Sequence, residues 1–334
     1  MISVALCTYN GEKFLREQLD SIAQQTLLPD ELVVCDDRSS DNTIAILEEF
    51  KQRAPFPVRI HLNETNLGSN RNFEKAISLC AGEIIALCDQ DDVWKPRKLE
   101  SLHSALEANP EAGYAFSDAD LVDEHTRPLG SRLWESYGFR GKFKKLFFKG
   151  EQFRCLARKN IVTGATMAFR AALKEIAIPL PREGYWVHDE WIALIATALG
   201  KPGIPLDEVL ISYRLHPKQQ IGIPDKPSGQ SLLSMYRRER ERGQQARMAL
   251  WERYCRKILK LEEILQKRQQ KDDGLILRHH LVFLQEYAAY VLTRKEIMAT
   301  RNIRRYFLIL REAFSGRYAR FANSWRTMVR DLVF

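Results

Sequence analysis

Short apolar runs alternate with longer amphipathic stretches through the first ninety positions. Ile2 to Cys7 is nearly all apolar, the pattern of a strand buried on both faces. Glu12 to Gln25 then places Phe14, Leu15, Leu19 and Ile22 on one face of a helix. Glu31 to Cys35 predicts a second strand, closed by Asp36 and Asp37. Asp41 stands where it can cap a helix whose stripe is Ile44, Leu47 and Phe50. Val58 to Leu62 predicts a third strand, Asn72 to Cys80 a helix stopped by Ala81-Gly82, and Ile84 to Cys88 a fourth strand. This alternation predicts an α/β fold, a doubly wound sheet with right-handed crossovers.

Ligands of such sheets sit beyond the carboxyl ends of the strands, and the polar clusters fall there. Thr8-Tyr9-Asn10 follows the first strand, Asp36-Asp37 the second, and Asp89-Gln90-Asp91-Asp92 the fourth. Three acids in four residues at the lip of a buried strand are costly unless they stay solvated or bind a cation. Hard oxygen ligands at this density suit Mg²⁺ or Mn²⁺, completed by substrate phosphates. A solvated acidic turn is the alternative. The chain has no G-x-G-x-x-G and no G-x-x-x-x-G-K-[ST], which argues against dinucleotide-binding and P-loop folds.

Composition divides the chain. The net charge of +8 is uneven: from Gly229 onward there are 23 Lys and Arg against 11 Asp and Glu, and all 13 prolines lie at or before Pro227. A boundary is expected between 222 and 229, separating a domain at 1–222 from a basic helical extension at 229–334. In the extension, Leu275 to Leu292 and Ile303 to Phe314 read as helices. In the last segment Tyr318, Phe321, Trp325, Met328, Val329 and Leu332 share a helical face flanked by Arg317, Arg320, Arg326 and Arg330. That face suits either an anionic membrane surface or ordinary docking on a core. The six scattered cysteines suit reduced structural thiols. No basic leader precedes the first strand and no run of about 18 apolar residues occurs, so the expected location is the cytoplasm, with peripheral contact at the inner face of the membrane.

Four segments resemble glycosyltransferase family 2, with its GT-A nucleotide-sugar domain. Val4 to Gly11 resembles the family's first strand and loop, Val33 to Thr43 its nucleoside-binding segment, and Ala81-Gly82-Glu83 leading to Asp89 through Trp94 its metal motif. Val162 to Phe169 and His188-Asp189-Glu190-Trp191 are similar to a branch that includes bacterial rhamnosyltransferases acting on cell-surface polysaccharides. The resemblance spans about residues 2–218. It implies a nucleotide-sugar half near 1–120 and an acceptor half near 121–222. It also implies a metal-dependent, inverting transfer from dTDP-rhamnose or a UDP-sugar to a glycan or lipid-linked glycan.

The resemblance assigns roles residue by residue. Asp91 would bear on the ion, with Asp89 at the ribose or an ion-bound water, and Asp92 beside them. His216 would complete the metal site, or be structural. Asp37 would accept the base N3–H, while a turn cap is the plain alternative for Asp36 and Asp37 alike. Thr8 and Asn10 would line the nucleotide pocket. Glu12 would reach the ribose or stay solvated, and Arg71 would approach the diphosphate or be an ordinary surface arginine. Asp189 would be the base that deprotonates the acceptor, with Glu190 its rival and helix capping the plain alternative. Gly164 would let donor or acceptor sugar approach the backbone. Two other classes remain open on the residues alone: a nucleotidyltransferase, and a non-enzymatic basic binding protein. Nucleic acid is not expected as a partner, since no recognition motif occurs.

Overall fold

The computed structural model describes residues 1–182, 186–217, 219, 244–271, 278–300, 302–321, 327–328 and 331–332. The chain divides into two compact units, Met1–Leu180 with Val187–Lys226, and Pro181–Trp186 with Pro227–Phe334. The composition break at 222–229 lies outside the described residues.

In the first unit the apolar runs become β1 (Ile2–Thr8), β2 (Glu31–Asp36), β3 (Val58–Leu62) and β4 (Ile84–Cys88). Helices α1 (Leu15–Ala23), α2 (Thr43–Arg53) and α3 (Ser69–Leu79) join them. Helix α1 starts later than Glu12 because the Gly11 carbonyl first accepts the Phe14 and Leu15 amides in a turn. Helix α3 starts earlier than Asn72, directly after Gly68, whose φ of 77° only glycine adopts readily.

Then follow β5 (Val93–Trp94), α4 (Lys98–Glu107), β6 (Tyr114–Val122), β7 (Pro128–Arg132) and four short helices, α5 (Leu133–Ser136), α6 (Gly141–Phe148), α7 (Gln152–Arg158) and α8 (Lys174–Ala177). Strand β8 (Met167–Arg170) precedes α8, and α9 (His188–Ala198) and β9 (Gly203–Arg214) close the unit. Among the described residues these strands form one nine-stranded sheet, ordered β3-β2-β1-β4-β8-β6-β9-β5 with β7 paired to β6.

Strands β1 to β4 are parallel, and β8 enters antiparallel between β4 and β6. The sheet is therefore mixed beyond β4. Strand order reverses at β1, with β2 on one side and β4 on the other, so the switch point lies between the carboxyl ends of β1 and β4. Leu15, Leu19, Ile22, Leu47 and Phe50 of α1 and α2 pack on Val4, Leu6, Leu32 and Val34 in the core that fixes those strand ends.

The second unit is helical: α10 (Gln244–Lys271), α11 (Arg278–Ala299), α12 (Arg304–Phe314) and α13 (Arg317–Phe321). Tyr318 and Phe321 are buried in it, with the Phe321 ring 5.7 Å from Phe283 and 5.5 Å from Tyr290. A buried ion pair ties its end, Arg294 Nε lying 2.9 Å from Asp331 Oδ2, while the Tyr318 hydroxyl donates to the same oxygen at 2.6 Å. This half of the last segment's apolar face thus docks on the unit's own core. Trp325, Arg326, Val329 and Arg330 lie outside the described residues. Among the described residues no helix is long and apolar enough to cross a membrane.

Candidate active site

The β1 and β2 ends are locked to each other by side chains. Register pairs Thr8 with Asp36, and the Thr8 hydroxyl donates to Asp36 Oδ2 at 2.7 Å. Asp36 also accepts the Ser39 amide and hydroxyl, so it closes the turn after β2. Asn10, at a left-handed φ of 48°, accepts the Ser40 amide on Oδ1 at 2.8 Å. A short polar side chain is among the few that tolerate that conformation. Glu12 Oε2 accepts both the backbone and side-chain N–H groups of Asn42. It lies ahead of α1 and braces the start of α2. Asp41 accepts the Thr43 and Glu12 amides, but it stands one residue ahead of the expected cap position: Asn42 supplies the first helical carbonyl, to the Ile46 amide, and is the N-cap of α2.

Asp37 organises the opposite wall. Its Oδ1 accepts the Leu67 amide at 2.7 Å and Asn63 Nδ2 at 2.8 Å, and its Oδ2 accepts the Gly68 amide at 2.8 Å. A carboxylate has about four acceptor positions, so one stays available. Arg71 is held on α3 by an ion pair with Glu74, whose Oε2 also accepts the Leu180 amide.

The tetrad follows β4, across the switch point. Gln90 faces the β1 loop, accepting the Tyr9 amide at 2.8 Å and donating to the Tyr9 carbonyl at 3.0 Å. A Cβ on Gly11 would stand 2.3 Å from Gln90 Oε1, so glycine is required there for this bridge. Asp92 is buried; its Oδ1 accepts the Arg214 amide at 2.9 Å, while its Oδ2 has no hydrogen-bond partner. Burial, then Asp91 and Asp89, push its carboxyl well above the usual range. Asp89 is pushed up to about 7 by burial, then by the charges of Asp91 and Asp189.

Asp91 Oδ2 lies 2.9 Å from His216 Nε2, and the His216 ring rests 4.9 Å from Phe14. Among the described residues no set of three or more His, Cys, Asp or Glu side chains is arranged to hold a metal ion. The four-residue set Asp89, Asp91, Asp92 and His216 is therefore not assembled as ligands; Asp91 and His216 alone meet. That pair still fits a hard cation whose shell is completed by a diphosphate and water. The orphaned Asp92 oxygen and the raised Asp89 carboxyl mark an excess of negative charge beside it.

Two buried cations here were not anticipated. Lys98 Nζ donates to the Ala165 carbonyl at 2.6 Å and lies 3.3 Å over the Trp94 ring. Burial lowers it to about 7, while Cys88, Asp92 and Asp89 oppose that shift. Its i,i+4 spacing with Leu102 and Leu106 was the available signal, because it puts a lysine on an apolar stripe. Arg214 donates from Nε to the Asp91 carbonyl at 2.7 Å and from Nη1 to the Glu124 carbonyl at 2.9 Å, and pairs with Glu17. Strand alternation aligning it with His216 was the only sequence hint.

Asp189 lies in the first turn of α9, within the helix, with Val187 at the cap position. Its Oδ2 accepts the Gly164 amide at 2.6 Å and its Oδ1 accepts the Glu190 amide. A Cβ on Gly164 would fall 2.9 Å from His188 Nε2 and 3.4 Å from Asp189 Oδ2. The close approach at Gly164 is thus made by these two side chains. His188 is buried, stacks on Phe73 at 3.8 Å, and has no hydrogen-bond partner on either ring nitrogen. Burial lowers its imidazole to about 3. Tyr137 is pushed up to about 12 by burial and then by the charge of Asp189, which places the two together. Glu190 is buried beside Asp189.

The family model described as "Glycosyl transferase family 2" matches residues 3–176. An uncharacterized glycosyltransferase of Haemophilus influenzae is 33% identical over 222 residues, 66% of this chain and 67% of that protein. The Escherichia coli enzyme named UDP-Glc:alpha-D-GlcNAc-diphosphoundecaprenol beta-1,3-glucosyltransferase WfgD is 29% identical over 38% of this chain and 48% of its own. The solved mannosyltransferase PcManGT of Pyrobaculum calidifontis, in complex with GDP-Man and Mn²⁺, superposes with a TM-score of 0.52 at 18% identity, covering 99% of this chain and 84% of that one. That likeness speaks for the fold. The chain spans from 36% to 67% of the length of the curated relatives it matches. A family match over more than half the chain, on a sheet whose switch point carries the expected polar loops, makes it a member of glycosyl transferase family 2 with a GT-A fold.

Proposed function

We propose that the chain transfers a sugar, with inversion, from a nucleoside-diphosphate donor to a glycan acceptor during synthesis of a cell-surface polysaccharide. One observation carries this reading: Asp189 lies close enough to the tetrad for its charge to raise Asp89, although a hundred residues separate them. That closeness supports a reading in which the leaving-group end and the base candidate serve one crevice. Family membership favours sugar transfer over nucleotidyl transfer or non-enzymatic binding.

In this reading Thr8, Asn10 and the loop held by Asp37 enclose the nucleoside, with Glu12 and Asp89 toward the ribose. The open acceptor position of Asp37 suits the N3–H shared by uracil and thymine, in keeping with a UDP-sugar or dTDP-rhamnose. Asp91 and His216 would hold Mg²⁺ or Mn²⁺, which neutralises the leaving diphosphate. The Mn²⁺ and GDP-mannose named for the Pyrobaculum structure support a divalent ion. Arg71, clamped by Glu74, is left a lesser part at the diphosphate.

Asp189 would take the proton of the acceptor hydroxyl as that oxygen attacks the anomeric carbon and the diphosphate leaves from the opposite face. The Gly164 amide fixes its direction, and the α9 N-terminus favours its anionic form. A lipid-linked acceptor is supported by the diphosphoundecaprenol substrate in the name of the Escherichia coli relative. Such an acceptor brings the chain to the inner face of the membrane, with contact through the C-terminal helices of the 229–334 extension.

The test is nucleoside-diphosphate release across a panel of nucleotide sugars, with and without glycan acceptors. Asp189→Asn is expected to cut turnover by about 10²–10⁴-fold with nucleotide binding near normal. Full activity in Asp189→Asn, with loss in Glu190→Gln, would transfer the role to Glu190.

A further inference from the structure

Helix α12 has two apolar faces where a docked helix needs one. Leu308, Ile309 and Glu312 are buried in the second unit. Ile303, Phe307, Leu310 and Phe314, at the spacing 4, 3 and 4 that keeps residues on one helical face, are all exposed, and Tyr306 borders them. Ile303 is 73% exposed, Phe307 66% and Phe314 89%. Single exposed apolar residues are ordinary, but a contiguous stripe with three aromatic rings marks an interaction surface.

Arg304 and Arg311, seven residues apart, line one edge, and both are exposed; Arg304 also pairs with Glu296 of α11 at 2.7 Å, and the balance at this edge stays positive through Arg311. Residues 301–334 contain eight arginines and only two acids, Glu312 and Asp331. Both acids are buried and engaged inside the unit, Glu312 by Arg317 and Asp331 by Arg294. The outward face is thus apolar and aromatic, with a border of net positive charge carried by Arg311 and the Glu296-paired Arg304.

We infer that this face of α12 seats the protein on an anionic lipid surface. Aromatic and aliphatic side chains enter the headgroup boundary while arginines meet lipid phosphates, as interfacial helices do. A second copy fits poorly, because stacking the stripe on itself would bring like-charged borders together. The helix takes this role only if, as proposed above, the chain works against a membrane. It moves the contact from the 317–334 stripe, whose Tyr318 and Phe321 are buried, to the helix before it.

The test is sedimentation of the full chain with vesicles of phosphatidylcholine alone or mixed with phosphatidylglycerol, at low and high salt. The wild type should prefer anionic vesicles and lose binding as salt rises. Phe307→Ser with Phe314→Ser should weaken partitioning at least about tenfold, with thermal melting and nucleotide-sugar hydrolysis unchanged. Arg304→Glu with Arg311→Glu should weaken binding to anionic vesicles only. If the phenylalanine variant binds like the wild type, α12 is not the contact and the peripheral reading stands elsewhere. If the wild type binds no vesicle, both fall. If it is a dimer without lipid and the variant a monomer, the stripe is an interface between copies and the lipid assignment fails.

Discussion

Two carboxylate centres flank the switch point and are built in opposite ways. After β2, Asp36 and Asp37 are surrounded by donors: Thr8, Ser39, Asn63 and the Leu67 and Gly68 amides occupy all four of their oxygens. After β4, Asp92 keeps an oxygen with no partner, and Asp89 and Asp92 are both raised by burial and then by the charge of Asp91. The first centre has every oxygen engaged by the protein, with one acceptor position of Asp37 to spare, and builds a wall. The second gathers carboxylates that the nearby Lys98 offsets only in part, since Asp89 and Asp92 both stay raised. Buried carboxylates are costly unless compensated, so the imbalance marks the side where the proposed cation would act.

The sharpest way to break this contrast is to remove charge from each centre in turn. Asp91→Asn should cut transfer by at least about a hundredfold, as expected for loss of an ion ligand. Its thermal stability should hold or rise by up to ~1 kcal/mol, since one repulsive charge leaves Asp89 and Asp92. Mn²⁺ at about 100 times its dissociation constant should stabilise the wild type by about 2.7 kcal/mol. That metal-dependent shift in Tm should vanish in Asp91→Asn. A variant that melts earlier and keeps its metal shift would show the tetrad to be structural.

The opposite outcome is expected at the wall. Asp37→Asn keeps the shape but leaves one acceptor oxygen for the Leu67, Gly68 and Asn63 donors. Stability should fall by about 1–3 kcal/mol. Donor affinity should drop about tenfold as the 63–68 loop loosens, with any metal shift in Tm retained. Thermal melts and nucleotide titration read the two effects separately.

How much of this was legible in the sequence follows from the range of the interactions. Strands β1 to β4 were legible because each is a short apolar run ending in polar residues, and their order follows from local crossovers. Strand β8, four residues long, and β9, which carries Pro205, Asp207 and Glu208, have no such signature. They are strands because their neighbours pair with them. Asp36 as a turn closer was readable from contacts a few residues away, whereas the cap of α2 fell on Asn42, one residue past Asp41. The engagement of Asp37 by a loop thirty residues on was not readable, nor was the burial of Lys98 against Ala165 or of Arg214 against Asp91. The last segment stayed open between two readings for a related reason: an amphipathic stripe reads alike whether it meets a core or a bilayer. Only burial separates Tyr318 and Phe321 from Phe307 and Phe314.

Gln90 offers the smallest and most discriminating change, because it sits inside the acidic tetrad yet behaves like the wall. Its two bonds to Tyr9 are exposed, so water replaces them readily in Gln90→Ala. Stability should fall by less than about 1 kcal/mol. The β1 loop bearing Asn10 would lose its tether to the tetrad, raising the donor KM a few-fold with kcat nearly unchanged, the signature of lost uniform binding. A matching fall in kcat would mean that Gln90 meets the reacting groups. The division between a self-satisfied wall and a charge-rich ligand side would then cut through the tetrad at a different residue.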